Sequence, residues 1–336
     1  MTSYDVSCLD VFAPSVRAVI QQALPDNFSI RFAETYDPAE QLALVKQADL
    51  LLVGGAHLTG DMIRQAGRLR FIQKWGIGID KIDLAAAEAS GVGLAITAGA
   101  NAGPVAELAI GLMIAVYRRI PYVDRNLRDG KWLKSEMRSS CYQITGKTVG
   151  LLGFGAIARM TARRLLGFDA RVIYFDIRRA EAAVEDALNA TYAPFDELLA
   201  QSDILSVHTP LTEQTRHLIG RDAIGRMKDG AVIINTARGG IVDEQALHDA
   251  LVSGKLRGAG LDSFESEPLS PESRLLALDQ VVLTPHAGGG VFDNVAPVAK
   301  HAIGNMVKFL SGEALRPQDV ILRGRPASGG GIGDRS

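Results

Sequence analysis

The sequence predicts an α/β fold with two doubly wound parallel-sheet domains, the first of them discontinuous, and a cleft between them. Three observations indicate this. The chain has 336 residues, more than the roughly 250–300 at which a single hydrophobic core stops growing. Short apolar segments alternate with helical ones, which is typical of parallel sheets covered by helices on both faces. A glycine-rich turn between a strand and a helix, near Lys147, starts the second α/β series.

The first domain is expected to comprise residues 1–100 and 291–322. Apolar runs and turn signals predict three strands and two helices in its first part, at residues 49–54, 69–74, 92–97, 38–47 and 83–89. After a helical stretch that ends near Leu310, the extended segment 319–322 is expected to return to this domain. The Gly-rich remainder, residues 323–336, is predicted to be disordered.

The second domain is expected to span residues 101–290. It begins with a long helix over 104–120, with Pro104 in the first turn and Pro121 ending it. Six strands should follow, the number in a complete doubly wound nucleotide-binding domain, at residues 147–152, 171–175, 203–207, 231–235, 257–261 and 280–284.

The turn after the strand 147–152 is a dinucleotide-binding fingerprint of the Rossmann type. Its residues are Gly153-Phe154-Gly155-Ala156-Ile157-Ala158. Gly153 allows the tight turn, Gly155 lets the backbone approach a pyrophosphate, and position 158 must stay small for helix–strand packing. The helix that begins at Ala156 and Ile157 offers unpaired N–H groups to the phosphates. The alternative is a Gly-rich turn in another kind of α/β unit, which the flanking strand and helix disfavour.

An acidic residue follows this turn at the distance expected for a ribose ligand. Asp176 ends the next strand, about 20 residues after the turn, and its carboxylate would accept hydrogen bonds from the adenosine ribose. NAD is therefore the expected cofactor, because a carboxylate repels the 2′-phosphate of NADP. Arg178 and Arg179 follow directly and could offset that repulsion, so NADP is not excluded.

Three polar motifs follow three late strands, and ligands bind at this edge of parallel sheets. They contain Arg238, Glu267 and His286. An arginine forms charge-assisted bonds to a carboxylate, and a histidine can take or return a hydroxyl proton. A neighbouring carboxylate favours the protonated ring. Each residue also has a structural interpretation, such as an ion pair or a turn. Together they predict oxidation of an alcohol beside a carboxylate.

With the fingerprint, these motifs resemble the D-isomer-specific 2-hydroxyacid dehydrogenases, over about residues 50–312. The resemblance implies that Arg238, Glu267 and His286 are catalytic and that Arg238 also binds the substrate. It implies a substrate loop and hinge at Gly76, Ile77, Gly78 and Asn101. Besides the fingerprint glycines, it implies cofactor contacts by Ala156, Ile157, Asp176, His208, Thr209, Pro210, Thr215, Thr236, Ala237, Asp262, His286 and Gly288. It also implies a homodimer built on the nucleotide-binding domains.

Two positions bear on this resemblance. Lys74 precedes the substrate loop; if it faces the substrate, it favours an acid with a second negative group, whereas a lysine at a strand end is more often solvated. Ser263 stands where the family usually has valine, a change expected to be silent.

Composition and the remaining residues limit the function classes. A net charge of −2 gives no reason to expect nucleic acid or an acidic membrane surface. Two cysteines cannot form a disulfide framework, and neither a leader nor a membrane-spanning run is apparent, so a cytoplasmic location is expected. No metal-ligand spacing is found. The other histidines are interpreted as surface or packing residues, namely His57, His217, His248 and His301.

The resulting hypothesis is an NAD-dependent oxidoreductase that interconverts a small 2-oxo acid and its D-2-hydroxy acid. Two alternatives remain open. One is the same chemistry with NADP, and the other is an NAD-sensing, dimeric binding protein of the corepressor kind within the same family.

Overall fold

The computed structural model describes residues 2–325. These residues form two compact units, the first from residue 2 to Asn101 and from Val291 onward, the second from Ala102 to Gly290. The strands, in chain order, are β1 Tyr4–Cys8, β2 Phe28–Phe32, β3 Leu50–Val53, β4 Phe71–Lys74, β5 Gly93–Ala95, β6 Thr148–Leu152, β7 Arg171–Phe175, β8 Ala190–Tyr192, β9 Ile204–Val207, β10 Ala231–Asn235, β11 Leu256–Leu261, β12 Val281–Leu283 and β13 Val320–Leu322.

The α-helices are α1 Pro14–Gln22, α2 Pro38–Gln47, α3 Gly60–Arg64, α4 Leu84–Ala89, α5 Ala102–Tyr117, α6 Ile120–Arg128, α7 Ala156–Leu165, α8 Ala182–Leu188, α9 Phe195–Gln201, α10 Arg221–Arg226, α11 Glu244–Val252 and α12 Val295–Ser311. Within residues 2–325, no helix is long and apolar enough to cross a bilayer.

The first unit is built on a sheet with the strand order β13-β5-β4-β3-β1-β2. Neighbouring strands are parallel except β13, which runs antiparallel to β5. Two of these strands, β1 and β2, were not predicted from the sequence. The strand β2 alternates between half-buried and exposed residues, so its apolar signal is weaker than that of the wholly buried β3.

The C-terminal part of the first unit is anchored through Asp319. This fully buried carboxylate accepts hydrogen bonds from His301 at 2.8 Å and from Nε of Arg316 at 2.8 Å. It also accepts the N–H of Ala98 at 3.1 Å. His301, interpreted as a surface or packing residue, therefore belongs to a buried polar network that holds the chain just before Asn101.

The prediction of disorder is wrong for residues 323–325. The N–H of Arg325 donates to the Gly91 carbonyl at 2.9 Å, so residues 323–325 pack back onto the first sheet. The rest of that segment, residues 326–336, lies outside the described residues.

The second unit is built on a parallel sheet with the order β12-β11-β10-β9-β6-β7-β8. The sequence predicted six strands, and β8 is a seventh. It has three residues and begins after Asn189, which ends α8 in the left-handed conformation. Alternate residues of β6, such as Val149 and Leu152, belong to two different apolar clusters, as expected when helices cover both faces.

The helix that begins the second unit ends earlier than predicted. Its last residue is Tyr117, and Arg119, with a φ of +51°, separates it from α6. Pro121 does not end α5 but lies in the first turn of α6. A proline is favoured there because its missing N–H would have no partner in that turn.

Candidate active site

Gly153 makes the turn after β6, and two observations require glycine there. Its φ is +91°, which glycine adopts far more readily than other residues, and a Cβ would lie 2.9 Å from the carbonyl carbon of His208. The N–H of Gly153 donates to Phe175 at 2.8 Å, and the N–H of Phe154 donates to Oδ2 of Asp176 at 2.7 Å. The turn is thereby fixed between the ends of β7 and β9.

The first turn of α7 has the open surface that a phosphate requires. A Cβ built on Gly155 would meet no atom within 4 Å. The N–H groups of Ala156 and Ile157 find no acceptor among the described residues, and the helix dipole places partial positive charge at the same end. Ala158 is fully buried, so a larger residue would disturb the sheet packing. The residues present therefore fit the pyrophosphate of a dinucleotide.

The surroundings of Asp176 distinguish between the two arginines that follow it. Its carboxylate accepts the N–H groups of Phe154 and Arg178, the latter at 3.0 Å. Arg179 forms a two-bond ion pair with Glu185, each bond 2.9 Å long. This pair lowers the pKa of Glu185 to about 2. Arg179 is thus already paired in the second unit, whereas the Arg178 side chain forms no ion pair among the described residues.

The segment after β9 contains His208 and Thr215, both predicted to contact the cofactor. The His208 ring nitrogen Nε2 lies 2.9 Å from Oγ of Ser206, and burial lowers the pKa of His208 to about 4. The Thr215 hydroxyl donates to the Pro210 carbonyl at 2.7 Å and accepts the N–H of Thr212 at 2.7 Å. The Thr215 side chain therefore closes the turn formed by residues 210–215, which directly follows Thr209.

The Arg238 motif packs directly on the Glu267 motif because Gly239 has no side chain. A Cβ on Gly239 would lie only 1.9 Å from the carbonyl carbon of Phe264. Asn235 shapes the same turn, because Nδ2 donates to the Arg238 carbonyl at 2.9 Å and Oδ1 accepts the N–H of Ala237 at 3.1 Å. The loops after β10 and β11 are therefore in backbone contact.

Glu267 and His286 form a hydrogen-bonded pair. The Nδ1 atom of His286 lies 2.8 Å from Oε1 of Glu267, and the same oxygen accepts the N–H of Phe264 at 3.3 Å. The side chain of His286 is 44% exposed and that of Glu267 is 23% exposed. His286 has a φ of +51°, a conformation that is uncommon outside glycine and is often found at functional sites.

Asp262 organises the loop that carries His286. It is 2% exposed, and its carboxylate accepts the Thr284 hydroxyl at 2.6 Å and the N–H groups of Ala287 and Gly288 at 2.8 and 2.9 Å. This role was missed from the sequence, where the family resemblance implied only a cofactor contact for Asp262. The carboxylate holds both sides of His286 in place.

Two buried hydroxyls of the second unit have no hydrogen-bond partner among the described residues. They are Oγ1 of Thr236 and Oγ of Ser263. Such a group costs about 1–3 kcal/mol unless something pairs with it. Thr236 lies in the loop predicted to contact the cofactor, so a bound dinucleotide is a suitable partner for it. That Ser263 is silent stays a prediction, but its buried, unpaired hydroxyl favours a cost in stability.

The predicted substrate loop lies in the first unit and is held by Thr97. The Gly76 N–H donates to the Thr97 hydroxyl at 2.8 Å, and the Thr97 N–H donates to the Gly76 carbonyl at 3.0 Å. The N–H of Gly76 is therefore already used, whereas those of Ile77 and Gly78 find no acceptor among the described residues. Oδ1 of Asn101 is buried and lacks a hydrogen-bond partner within the same residues. Thr97, at the end of a predicted strand, was not recognised from the sequence.

Lys74 is not a solvated lysine. Lys74 is the last residue of the buried strand β4 and is 8% exposed. Its Nζ donates to the Gly54 carbonyl. The N–H groups of Gly54, Gly55 and Ala56 in turn donate to the buried Asp10 carboxylate. Lys74 and Asp10 thus hold opposite sides of the loop after β3.

A parallel sheet with this turn, helix and acidic residue is typical of a dinucleotide-binding domain. The Arg, Glu and His on the loops after its strands are residue types that a nicotinamide-dependent oxidoreductase can use. Among residues 2–325, no group of three or more His, Cys, Asp or Glu side chains is placed to hold a metal ion.

Comparisons with known proteins identify the family. Residues 110–288 match the NAD-binding domain of the D-isomer-specific 2-hydroxyacid dehydrogenases. The chain is 44% identical over 259 residues to the hydroxypyruvate reductase of Thermotoga maritima, covering 76% of this chain and 83% of that protein. It is 38% identical over 258 residues to the glyoxylate reductase of Korarchaeum cryptofilum, covering 76% and 77%.

The fold comparison agrees. The apo form of D-mandelate dehydrogenase from Rhodotorula graminis superposes with a TM-score of 0.82 at 28% identity, covering 97% of this chain and 100% of that one. The chain therefore belongs to the D-isomer-specific 2-hydroxyacid dehydrogenases, NAD-dependent oxidoreductases that act on CH–OH groups. The predicted resemblance, fold class, enzyme class and cofactor are confirmed.

Proposed function

We propose that this enzyme reduces a small, singly charged 2-oxo acid to its D-2-hydroxy acid. The observation that carries the proposal is the 2.8 Å contact between Glu267 and His286, next to a loop that carries Arg238. An acid/base residue with a fixed partner, and an arginine on a neighbouring loop, suit the reduction of a 2-oxo acid by a bound nicotinamide cofactor.

Each residue has a distinct role in this proposal. Bound NADH supplies the hydride. His286 gives a proton to the carbonyl oxygen that becomes the hydroxyl, and takes it back in the reverse reaction. Glu267 holds Nδ1, so Nε2 is the ring nitrogen that transfers the proton. Arg238 binds the substrate oxygens, because a guanidinium forms two parallel bonds to a carboxylate.

The preference for a singly charged acid comes from Lys74. An ammonium group that is buried and bonded to the Gly54 carbonyl would have to break that bond to reach a distal phosphate or carboxylate. The unpaired N–H groups of Ile77 and Gly78 support a role in holding one carboxylate. The chain is similar to a hydroxypyruvate reductase and to a glyoxylate reductase. Hydroxypyruvate and glyoxylate are therefore the first substrates to test.

The test is NADH and NADPH oxidation with glyoxylate, hydroxypyruvate, pyruvate, phosphohydroxypyruvate and 2-oxoglutarate. We expect fast turnover of glyoxylate or hydroxypyruvate with NADH. The glycerate formed from hydroxypyruvate should be the D isomer on chiral chromatography, whereas the glycolate formed from glyoxylate is achiral. Faster turnover of phosphohydroxypyruvate or 2-oxoglutarate, the two acids with a second anionic group, would contradict the role given to Lys74. Tight NADH binding without turnover of any acid would favour the cofactor-sensing alternative.

We also propose that the enzyme is a homodimer assembled through its second unit. The helix α6 and the segment after it expose a group of large apolar side chains. Trp132 is 75% exposed, Leu127 56% and Ile120 46%, and they border a groove of about 300 Å³. Contiguous apolar surface of this kind favours association with another protein surface, and a second copy is the partner that the family resemblance implies.

A further inference from the structure

The loop that carries Glu267 is also held from behind, by residues without an assigned role. Oε1 of Glu244 accepts the N–H of Glu265 at 2.7 Å, and Oε1 of Glu265 accepts the N–H of Glu244 at 3.0 Å. Each glutamate side chain thus binds the backbone of the other residue. This reciprocal pair joins the first turn of α11 to the loop two residues before Glu267.

His217 extends the connection to the loop of Arg238. Its Nε2 lies 3.1 Å from Oε1 of Glu265, and its N–H donates to the Gly240 carbonyl at 2.8 Å. It was interpreted from the sequence as a surface or packing residue, and its side chain is 46% exposed. Its ring contacts the loop of Glu267 and its backbone contacts the loop of Arg238.

The Phe264–Glu265 peptide lies at the centre of this arrangement. On one side, Gly239 packs against it so closely that a Cβ there would lie 2.3 Å from the Glu265 nitrogen. The N–H of the same peptide donates to Glu244. Because Phe264 in turn donates its own N–H to Glu267, a displacement of this peptide would be transmitted to the carboxylate that contacts His286.

Glu244 is suited to hold a fixed position. It is half-buried, and burial raises its pKa, partly offset by the hydrogen bond from the Glu265 N–H. The two reciprocal backbone bonds, at 2.7 and 3.0 Å, hold the side chain against the Glu265 loop. The next residue, Gln245, is exposed and donates to Asp249 at 2.8 Å within α11. Gln245 therefore serves as a control, since it lies beside Glu244 on the helix but forms this bond only within α11.

We propose that Glu244 is a positioning residue, which, with Glu265 and His217, sets the placement of Glu267 relative to Arg238. The inference rests on the proposed function, because it assigns Glu244 an effect on the reaction of His286. It acts through the Glu265 backbone and not by contact with substrate or cofactor.

The experiment compares Glu244→Ala, Glu244→Gln and the control Gln245→Ala, with kcat, KM and the NADH dissociation constant measured for each. We expect Glu244→Ala to lower kcat about tenfold or more, with NADH binding changed less than twofold. Glu244→Gln should keep kcat within about threefold, because its amide oxygen still accepts the Glu265 N–H. Gln245→Ala should match the wild type.

A double-substitution test separates positioning from general destabilisation. If Glu244 acts through Glu267, Glu244→Ala should have little further effect on kcat in a Glu267→Ala background. Additive losses, or a folded Glu244→Ala enzyme with wild-type kcat, would overturn the inference. If Glu244→Ala does not fold, Glu265→Ala tests the same connection and should also lower kcat. A wild-type enzyme that turns over no acid would instead refute the proposed function itself.

Discussion

Oε1 of Glu267 lies 2.8 Å from Nδ1 of His286 and 3.3 Å from the backbone nitrogen of Phe264. One carboxylate oxygen therefore binds both the ring and the loop from which Glu267 itself projects. The ring is restrained by two further features, its left-handed backbone and the Asp262 carboxylate that holds the next two N–H groups. Such restraint costs conformational freedom that an ordinary surface histidine keeps, and it gives the ring one orientation.

Replacement of the ring tests this assignment. His286→Ala should lower kcat by about 10²–10⁴, the usual contribution of a positioned acid/base group. NADH binding should change little, because the glycine turn at Gly153 and the carboxylate of Asp176 are untouched, and the His286 ring is only one of the cofactor contacts that the resemblance implies. Stopped-flow kinetics and NADH fluorescence titration give the two values. Normal turnover, or loss of cofactor binding, would refute the role of His286.

The dimer proposal predicts that a charge on the apolar surface prevents association. Leu127→Asp should shift the protein from dimer to monomer in light scattering coupled to gel filtration, because an isolated charge is costly to bury in an interface. Arg128→Asp is a matched control on the same helix, since Arg128 is exposed and pairs only locally with Asp124. A wild-type protein that is already monomeric at micromolar concentration would contradict the proposal.

The sequence predicts those parts of the fold whose signals are local. Helix α2 begins and ends as predicted, because Asp37 caps it and a proline occupies its first turn. The strand β8 was missed because three residues with one exposed position give no periodicity. The end of α5 was misplaced because the break is the left-handed Arg119, a conformation that its residue type does not announce.

The site shows the same division. Arg238, Glu267 and His286 could be proposed from the sequence because each follows a strand end, and parallel strands bring such ends to one edge. The residues that support them depend on contacts distant in sequence. Thr97 holds Gly76 from 21 residues away, and Glu244 binds Glu265 across a loop. No local pattern distinguishes these residues from ordinary capping or surface residues.

The unpaired Ser263 hydroxyl predicts a stabilising substitution. Ser263→Ala should increase the free energy of unfolding by about 1 kcal/mol, since it removes a buried polar group that has no partner among the described residues. Urea denaturation without cofactor measures the change. Ser202→Ala is the contrasting variant, because the Ser202 hydroxyl donates to the Leu198 carbonyl at 2.5 Å, so it should destabilise. A loss of stability in Ser263→Ala would show that the hydroxyl is paired.

The lowered pKa of His208 predicts an acid-sensitive contribution to stability. Its folded pKa is about 4 because the ring is desolvated, while an unfolded histidine has a pKa near 6.5. The fold therefore favours the neutral ring. The contribution of His208 to the free energy of unfolding is fully present above pH 6.5 and is lost as the pH falls toward 4. The full loss is about 3 kcal/mol. In urea titrations at pH 7.5 and 4.5, His208→Gln should lose less stability on acidification than the wild type. Equal losses would contradict this account.

The carboxylate of Asp176 predicts the cofactor preference. The wild type should favour NADH over NADPH, because Asp176 repels a 2′-phosphate and Arg179 is paired with Glu185. Asp176→Asn should raise the ratio of kcat/KM for NADPH to that for NADH by about tenfold, equivalent to about 1.4 kcal/mol. The asparagine oxygen can still accept the Phe154 N–H, so the glycine turn should be preserved. Asp186→Asn, an exposed acid on the following helix α8, is the matched control and should leave the ratio unchanged. Equal use of both cofactors by the wild type would show that Arg178 compensates for the carboxylate.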